Sequence, residues 1–141
     1  MVDENVAACG AIASVKEGKG TPGLPDYEIH STRRLVTVKF GKKVTARDIE
    51  GYLASLRANP RFNPDFSEIV DLSEVEELDV QGDELARLAD GADAFSAQAK
   101  RAFVARNAVQ NHAARMYKIL RAQVNAAIFR SVGAAERWIG P

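Results

Sequence analysis

From Tyr27 onward, apolar and polar positions fall into a regular rhythm. Tyr27-Glu28-Ile29-His30 alternates as a half-buried strand does. Leu35-Val36-Thr37-Val38-Lys39-Phe40 is apolar and β-branched, with Gly41 as a stop. Ser31 to Arg34 connects the two as a hairpin loop of ordinary length. Thr45 opens the first helix: Asp48 follows at capping-box spacing, with Asp in place of the usual Glu. Ile49, Tyr52, Leu53 and Leu56 share one face of that helix. Asn59-Pro60 ends it, because a residue before proline is pushed out of the helical region. Phe62 and Phe66 anchor the loop that follows, around Pro64.

Ser67-Glu68-Ile69-Val70-Asp71-Leu72 reads as the third strand, and Leu78 through Gly82 as a turn. Asp83 to about Gln98 is expected to be a second helix, with Leu85, Leu88 and Ala92 at helical spacing and Gly91 as a weak point. Ala102-Phe103-Val104-Ala105 is continuously apolar, the mark of a strand covered on both faces. Ala108 through Ala122 is the third helix, with Asn107 as N-cap and Ala113, Met116, Tyr117 and Leu120 on its inner face. Val124 through Phe129 is the fifth strand. Ser131 through Ile139 is a last short helix, closed onto the domain by Trp138 and Ile139. The order is therefore β-β-α-β-α-β-α-β-α. It predicts a single α/β domain over residues 26–141, with a mixed, mostly parallel five-stranded sheet, an antiparallel edge hairpin and four helices.

Residues 1 to 25 break this rhythm. They are small and polar, rich in Gly and Pro, and too poor in apolar area to offset their ordering entropy. They read as a flexible N-terminal arm or as a segment ordered only by docking. Val6 to Cys9 and Ala11 to Ala13 leave room for a brief strand or helical turn.

Composition narrows the classes. The chain has 141 residues, 46% of them apolar, which suits one domain. Nineteen Lys and Arg balance 19 Asp and Glu, against the basic excess of a nucleic-acid binder. No apolar run is long enough to span a membrane. The lone Cys9 forms no internal disulfide, and the acidic start Met1-Val2-Asp3-Glu4 is unlike a secretory signal, so a cytoplasmic location is expected.

The strand Val70-Asp71-Leu72-Ser73-Glu74-Val75, the turn Leu78-Asp79-Val80-Gln81-Gly82, and then Leu85 and Leu88 resemble the STAS domain of anti-sigma-factor antagonists. Arg101 to Ala105, Ala114 to Tyr117, and Ile128 through Ala135 and Trp138 are similar to the SpoIIAA-like family of small bacterial proteins. The resemblance runs from about Tyr27 to Ile139. It implies a regulatory interaction module, with Asp71, Ser73, Asp79, Gln81 and Gly82 as its interaction turn. In a regulatory STAS domain, hydroxyl residues between the turn Asp and the Gly accept phosphate. Val80 and Gln81 stand at those positions and cannot be phosphorylated, so the resemblance carries the scaffold without the phospho-switch. SpoIIAA-like proteins also resemble lipid-transfer domains, which implies a second reading: a carrier of a small apolar or lipid-like ligand.

Searches for catalytic chemistry lead elsewhere. Gly18-Lys19-Gly20-Thr21-Pro22-Gly23 matches G-x-G-x-x-G, but Pro22 and Pro25 prevent the helix that a phosphate loop must open. His30 and His112 are far apart and lack paired cysteines, so no metal or other cofactor is expected. No G-x-S-x-G elbow is present, and nothing singles out an acid/base pair of carboxylates, so no catalytic residue is assigned. His112, Arg115, Met116 and Tyr117 on the third helix are candidate ligand or partner contacts. Against them stand the simpler roles of solvated helix face for His112 and core stripe for Met116 and Tyr117.

Charge is strongly segregated. From Asp65 to Leu85 there are nine acids and no base, whereas Lys100 to Arg130 holds seven bases and no acid. Two solvated faces with internal pairing are one consequence. Complementary association is the other, in a homo-oligomer such as a dimer or with a protein partner.

Overall fold

The two opening segments pair as an antiparallel hairpin, β1 (Asp26–His30) and β2 (Leu35–Lys39). The computed structural model describes residues 25–90, 94–120 and 125–140, so residues 1–24 of the N-terminal arm, Gly91, Ala92, Ala122 and Val124 lie outside the described residues. In the hairpin turn the Arg33 N–H donates to the His30 carbonyl at 3.1 Å. Arg34 closes the turn in the left-handed region, with φ 54°. Its guanidinium lies 5.4 Å from the centre of the Phe66 ring.

Helix α1 (Ala46–Ala58) starts where the Thr45/Asp48 spacing predicts. The Thr45 hydroxyl accepts from the Asp48 N–H at 3.2 Å, and the Asp48 carboxylate accepts from the Thr45 N–H at 2.9 Å. Asn59 caps its other end. Strand β4 (Ser67–Asp71) then lies parallel to β2. Helix α2 (Gly82–Asp90) leads towards β6 (Arg101–Val104), and α3 (Ala108–Leu120) towards β7 (Ala126–Phe129). Sheet order is β1-β2-β4-β6-β7, with every pair after the first parallel. The expected α/β class, mixed five-stranded sheet and four helices are all present.

Each parallel crossover steps the same way across the sheet. Because crossover handedness is fixed, successive helices fall on one face. The main core shows this: Val36, Val38, Val70 and Phe103 of the sheet meet Tyr52, Leu53 and Leu56 of α1, Leu88 of α2 and Ala114 of α3. Alternate residues of the same strands, Leu35, Ile69, Ala102 and Val104, point the other way. Helix α4 (Val132–Ile139) covers them, burying Ala135 and packing Val132, Trp138 and Ile139 on that face. Ser131 caps α4 by accepting the Ala134 N–H, and Gly140 leaves it at φ 87°.

Three expectations need correction. The Leu78–Gly82 segment is not simply a turn: Glu77–Asp79 is strand β5, which pairs in parallel with a further strand, β3 (Lys43–Thr45), in a separate two-stranded sheet. The Glu76 and Glu77 N–H groups both donate to the Lys42 carbonyl, at 2.7 and 2.9 Å. Three-residue strands are too short to show a period. The second helix is also shorter than Asp83–Gln98. Ala94 to Ala99 forms bends and turns despite its helix-favouring alanines, because tertiary packing overrides propensity. Phe95 is held edge-on against Phe62, ring centres 5.1 Å apart, and the Ser96 N–H donates to the Pro64 carbonyl. Finally, β7 begins at Ala126 and is half-buried throughout.

Replacing Thr45 by Ala removes half of the reciprocal cap. Urea denaturation should show a loss of about 1 kcal/mol. An unchanged midpoint would mean that the cap adds nothing beyond solvent.

Candidate functional site

Most of the buried chemistry lies on the main-core face of the sheet. In the ladders Val36, Glu68, Arg101 and Ala126 are successive partners across four strands, so Glu68 and Arg101 sit side by side facing the helices. Both side chains are fully buried. Arg101 Nε donates to Glu68 Oε1 at 2.7 Å, and the Tyr52 hydroxyl of α1 donates to Glu68 Oε2 at 2.5 Å. A second guanidinium nitrogen of Arg101 lies 3.4 Å from the Tyr117 hydroxyl of α3. The guanidinium also stands over the Phe95 ring, 4.5 Å from its centre. Two charges taken out of water thus gain hydrogen bonds and an aromatic surface that offset their desolvation.

Glu68 and Arg101 were grouped by sequence with the acidic and basic runs. Both lie within strands, where two-residue alternation aligns Glu68 with Val70 and Arg101 with Phe103, on an apolar face. A charge on that face is the signal that marks them.

The candidate residues of the interaction turn separate into two places. Asp71 and Ser73 form a tight turn after β4, with the Ser73 N–H donating to Asp71 Oδ1 at 2.9 Å. Gln110, 2% exposed in α3, holds the same loop. Its Nε2 donates to the Ser73 and Val75 carbonyls at 3.1 and 3.0 Å, while its Oε1 accepts the Arg106 N–H at 2.7 Å. Asn107 caps α3 as expected, its Oδ1 accepting the Gln110 N–H. Asp79 and Gln81 lie at the other place. Asp79 accepts from the Gln81 amide at 3.1 Å and meets Lys43 Nζ at 3.4 Å. The Gln81 N–H donates to Glu84 Oε1 at 2.8 Å, the N3-to-cap half of a capping box at the start of α2, where Gly82 is exposed.

Between this second place and α3 lies an open groove of about 570 Å³. Leu78 and Val80 form one wall with Glu76 and Glu77. Val109, His112 and Met116 line the other. Two of the four α3 candidates, His112 and Met116, therefore face the turn. Arg115 is exposed on the outer shoulder of the same helix, three residues beyond His112. Tyr117 points inward to Arg101 and does not line the groove. Val109, at 40%, is the one exposed large hydrophobic side chain among the described residues. Sequence reasoning did not single out Val109, Gln110, Tyr52, Glu68 or Arg101 as site-forming.

Among the described residues the two runs pair little with each other, and other charges meet them or one another instead. Lys39 meets Glu74 at 3.0 Å, and Arg87 meets Glu50 at 2.9 Å. Among the described residues Glu68–Arg101 is the single ion pair that joins the acidic run to the basic one. Arg106 instead donates to the Arg130 carbonyl, and Lys100 to that of Trp138.

Within the described residues no group of three or more His, Cys, Asp and Glu is placed to hold a metal ion. No described helix is long and apolar enough to cross a membrane. A cavity beneath α3, lined by Phe40, Leu72, Phe103 and Ala113 among others, holds about 30 Å³, roughly the space of one water. Comparison with family models, curated proteins and solved structures gives no match to the chain.

Burial and the Glu68 carboxylate push the Tyr52 hydroxyl well above the usual tyrosine range. The folded state then holds this proton more tightly than the unfolded chain. Its stabilising effect is complete below about pH 10 and declines as pH climbs beyond that. Tyr52→Phe, compared with the parent by urea denaturation through the alkaline range, should lose less stability on going above pH 10. Parallel losses in the two proteins would show that Tyr52 keeps its ordinary affinity for the proton.

Proposed function

We propose that the protein is a non-catalytic, STAS-like binding module of the cytoplasm that docks a protein partner in the groove between β5 and α3, without a phospho-acceptor switch. The mixed sheet agrees with the scaffold that the SpoIIAA-like resemblance implies; membership of that family is part of the proposal. The observation that carries the reading is the groove itself. An exposed Val109 stands beside Met116, Leu78 and Val80, with Glu76 and Glu77 on one rim and His112, next to the exposed Arg115, on the other, the arrangement of an apolar centre with a polar rim. Gln110 ties the loop after β4 to α3, and so fixes one wall against the other. Val80 and Gln81, where a phospho-acceptor would stand, serve here as apolar lining and as helix cap.

A carrier of an apolar ligand requires an interior space of hundreds of cubic ångströms. The cavity lined by described residues under α3 is about 30 Å³, the space of one water rather than of such a ligand.

A photo-crosslinking amino acid placed at Val109, in cells that make the protein naturally, tests this reading. Position 109 should yield a discrete protein adduct, with this chain or another. The same group at Ala54, exposed on α1, should not. Adducts at neither position, or equally at both, would contradict docking in the groove.

A further inference from the structure

We infer that the occupant of the groove is the same edge of a second copy of this chain; the inference rests on reading the groove as a protein-docking site. An interface related by a two-fold axis brings a patch against itself, so the patch must be complementary to its own rotated image. This one is. Across the groove the charges are opposite: Glu76 and Glu77 line the β5 side, and on α3 the exposed Arg115 stands beside the lining residues His112 and Met116. Among the described residues none of Glu76, Glu77 and Arg115 has an ion-pair partner within the chain, although Lys39, Lys43, Glu50 and Arg87 do.

A two-fold axis along the groove places the acids of each copy opposite Arg115 of the other, twice over. The same rotation sets Val109 of each copy beside the apolar wall of the other, where its exposed surface leaves water. The formal net charge of zero means that two copies approach without long-range repulsion. A partner of one charge sign would satisfy one rim and repel the other. Only an occupant bearing both signs in this order suits both, and the chain itself is such an occupant.

Sedimentation equilibrium of the full chain, from micromolar to near-millimolar, tests this at low and high salt. A dimer is expected, weakened by salt. Glu76→Lys with Glu77→Lys gives a chain with bases on both rims; Arg115→Glu gives one with acids on both. Each should self-associate at least about tenfold more weakly than the parent. An equimolar mixture of the two should regain the parent's affinity as a heterodimer, which neither variant could do if misfolded. A chain that stays monomeric throughout, or a dimer indifferent to both reversals, overturns the inference. If such a monomer still gives an adduct with another protein at position 109, the groove keeps its docking role and only the second copy is excluded. If no adduct forms, both readings fall.

Discussion

One ion pair at the centre of the sheet, Glu68 with Arg101, constrains most of what surrounds it. Both charges are on neighbouring strands, in register, on the face that three helices cover. A lone charge there would cost several kcal/mol. The pair therefore requires that β4 and β6 hold one register, that α1 bring Tyr52 to one carboxylate oxygen, and that α3 bring Tyr117 to the guanidinium. A slip of one residue in either strand would turn its charge to the opposite face, against the apolar surface that α4 covers, and leave the other charge unpaired. Polar groups specify the arrangement, and the apolar core around them supplies the greater part of the stability.

The groove follows from that arrangement. The inner face of α3 is fixed by Tyr117 against Arg101, by Ala113 and Ala114 against the core, and by Gln110 against the loop after β4. Its outer flank, with Val109, His112 and Met116, is left facing β5. β5 is held in turn by its pairing with β3 and by the Lys43–Asp79 contact. Both walls are thus anchored by contacts that lie outside the groove, and its own side chains remain available. The segregation of charge along the sequence has the same origin. One run supplies the β4–β5–α2 side and the other the β6–α3 side, and among the described residues Glu68–Arg101 is the one ion pair between them.

Local signals in the sequence were readable wherever a few neighbouring residues decide the structure. Thr45 with Asp48 and Asn59 before Pro60 bound α1 as expected, and the alternation of Tyr27 to His30 gave the hairpin edge. Longer-range contacts were not readable in this way. β3 and β5 exist because each finds the other, and three residues carry no period of their own. The alanine-rich stretch after α2 has helix-forming residues, yet Phe95 is drawn to Phe62 and Arg101. At the site, His112 and Met116 are candidates from their helix, but Met116, expected on the inner face with Tyr117, lines the groove beside His112 instead. Val109 and Gln110 are not candidates, because their roles depend on β5 and on the Ser73 loop, which lie far off in sequence.

The most direct test of this account is a double-mutant cycle on the buried pair, read by urea denaturation. Glu68→Leu and Arg101→Met each leave an unpaired charge in the core and should each cost about 3–5 kcal/mol, whereas the double variant, with no charge left to bury, should cost less than either alone. If the two losses simply add, Glu68 and Arg101 do not act as a pair, and the placement of α1 and α3 must depend on something else.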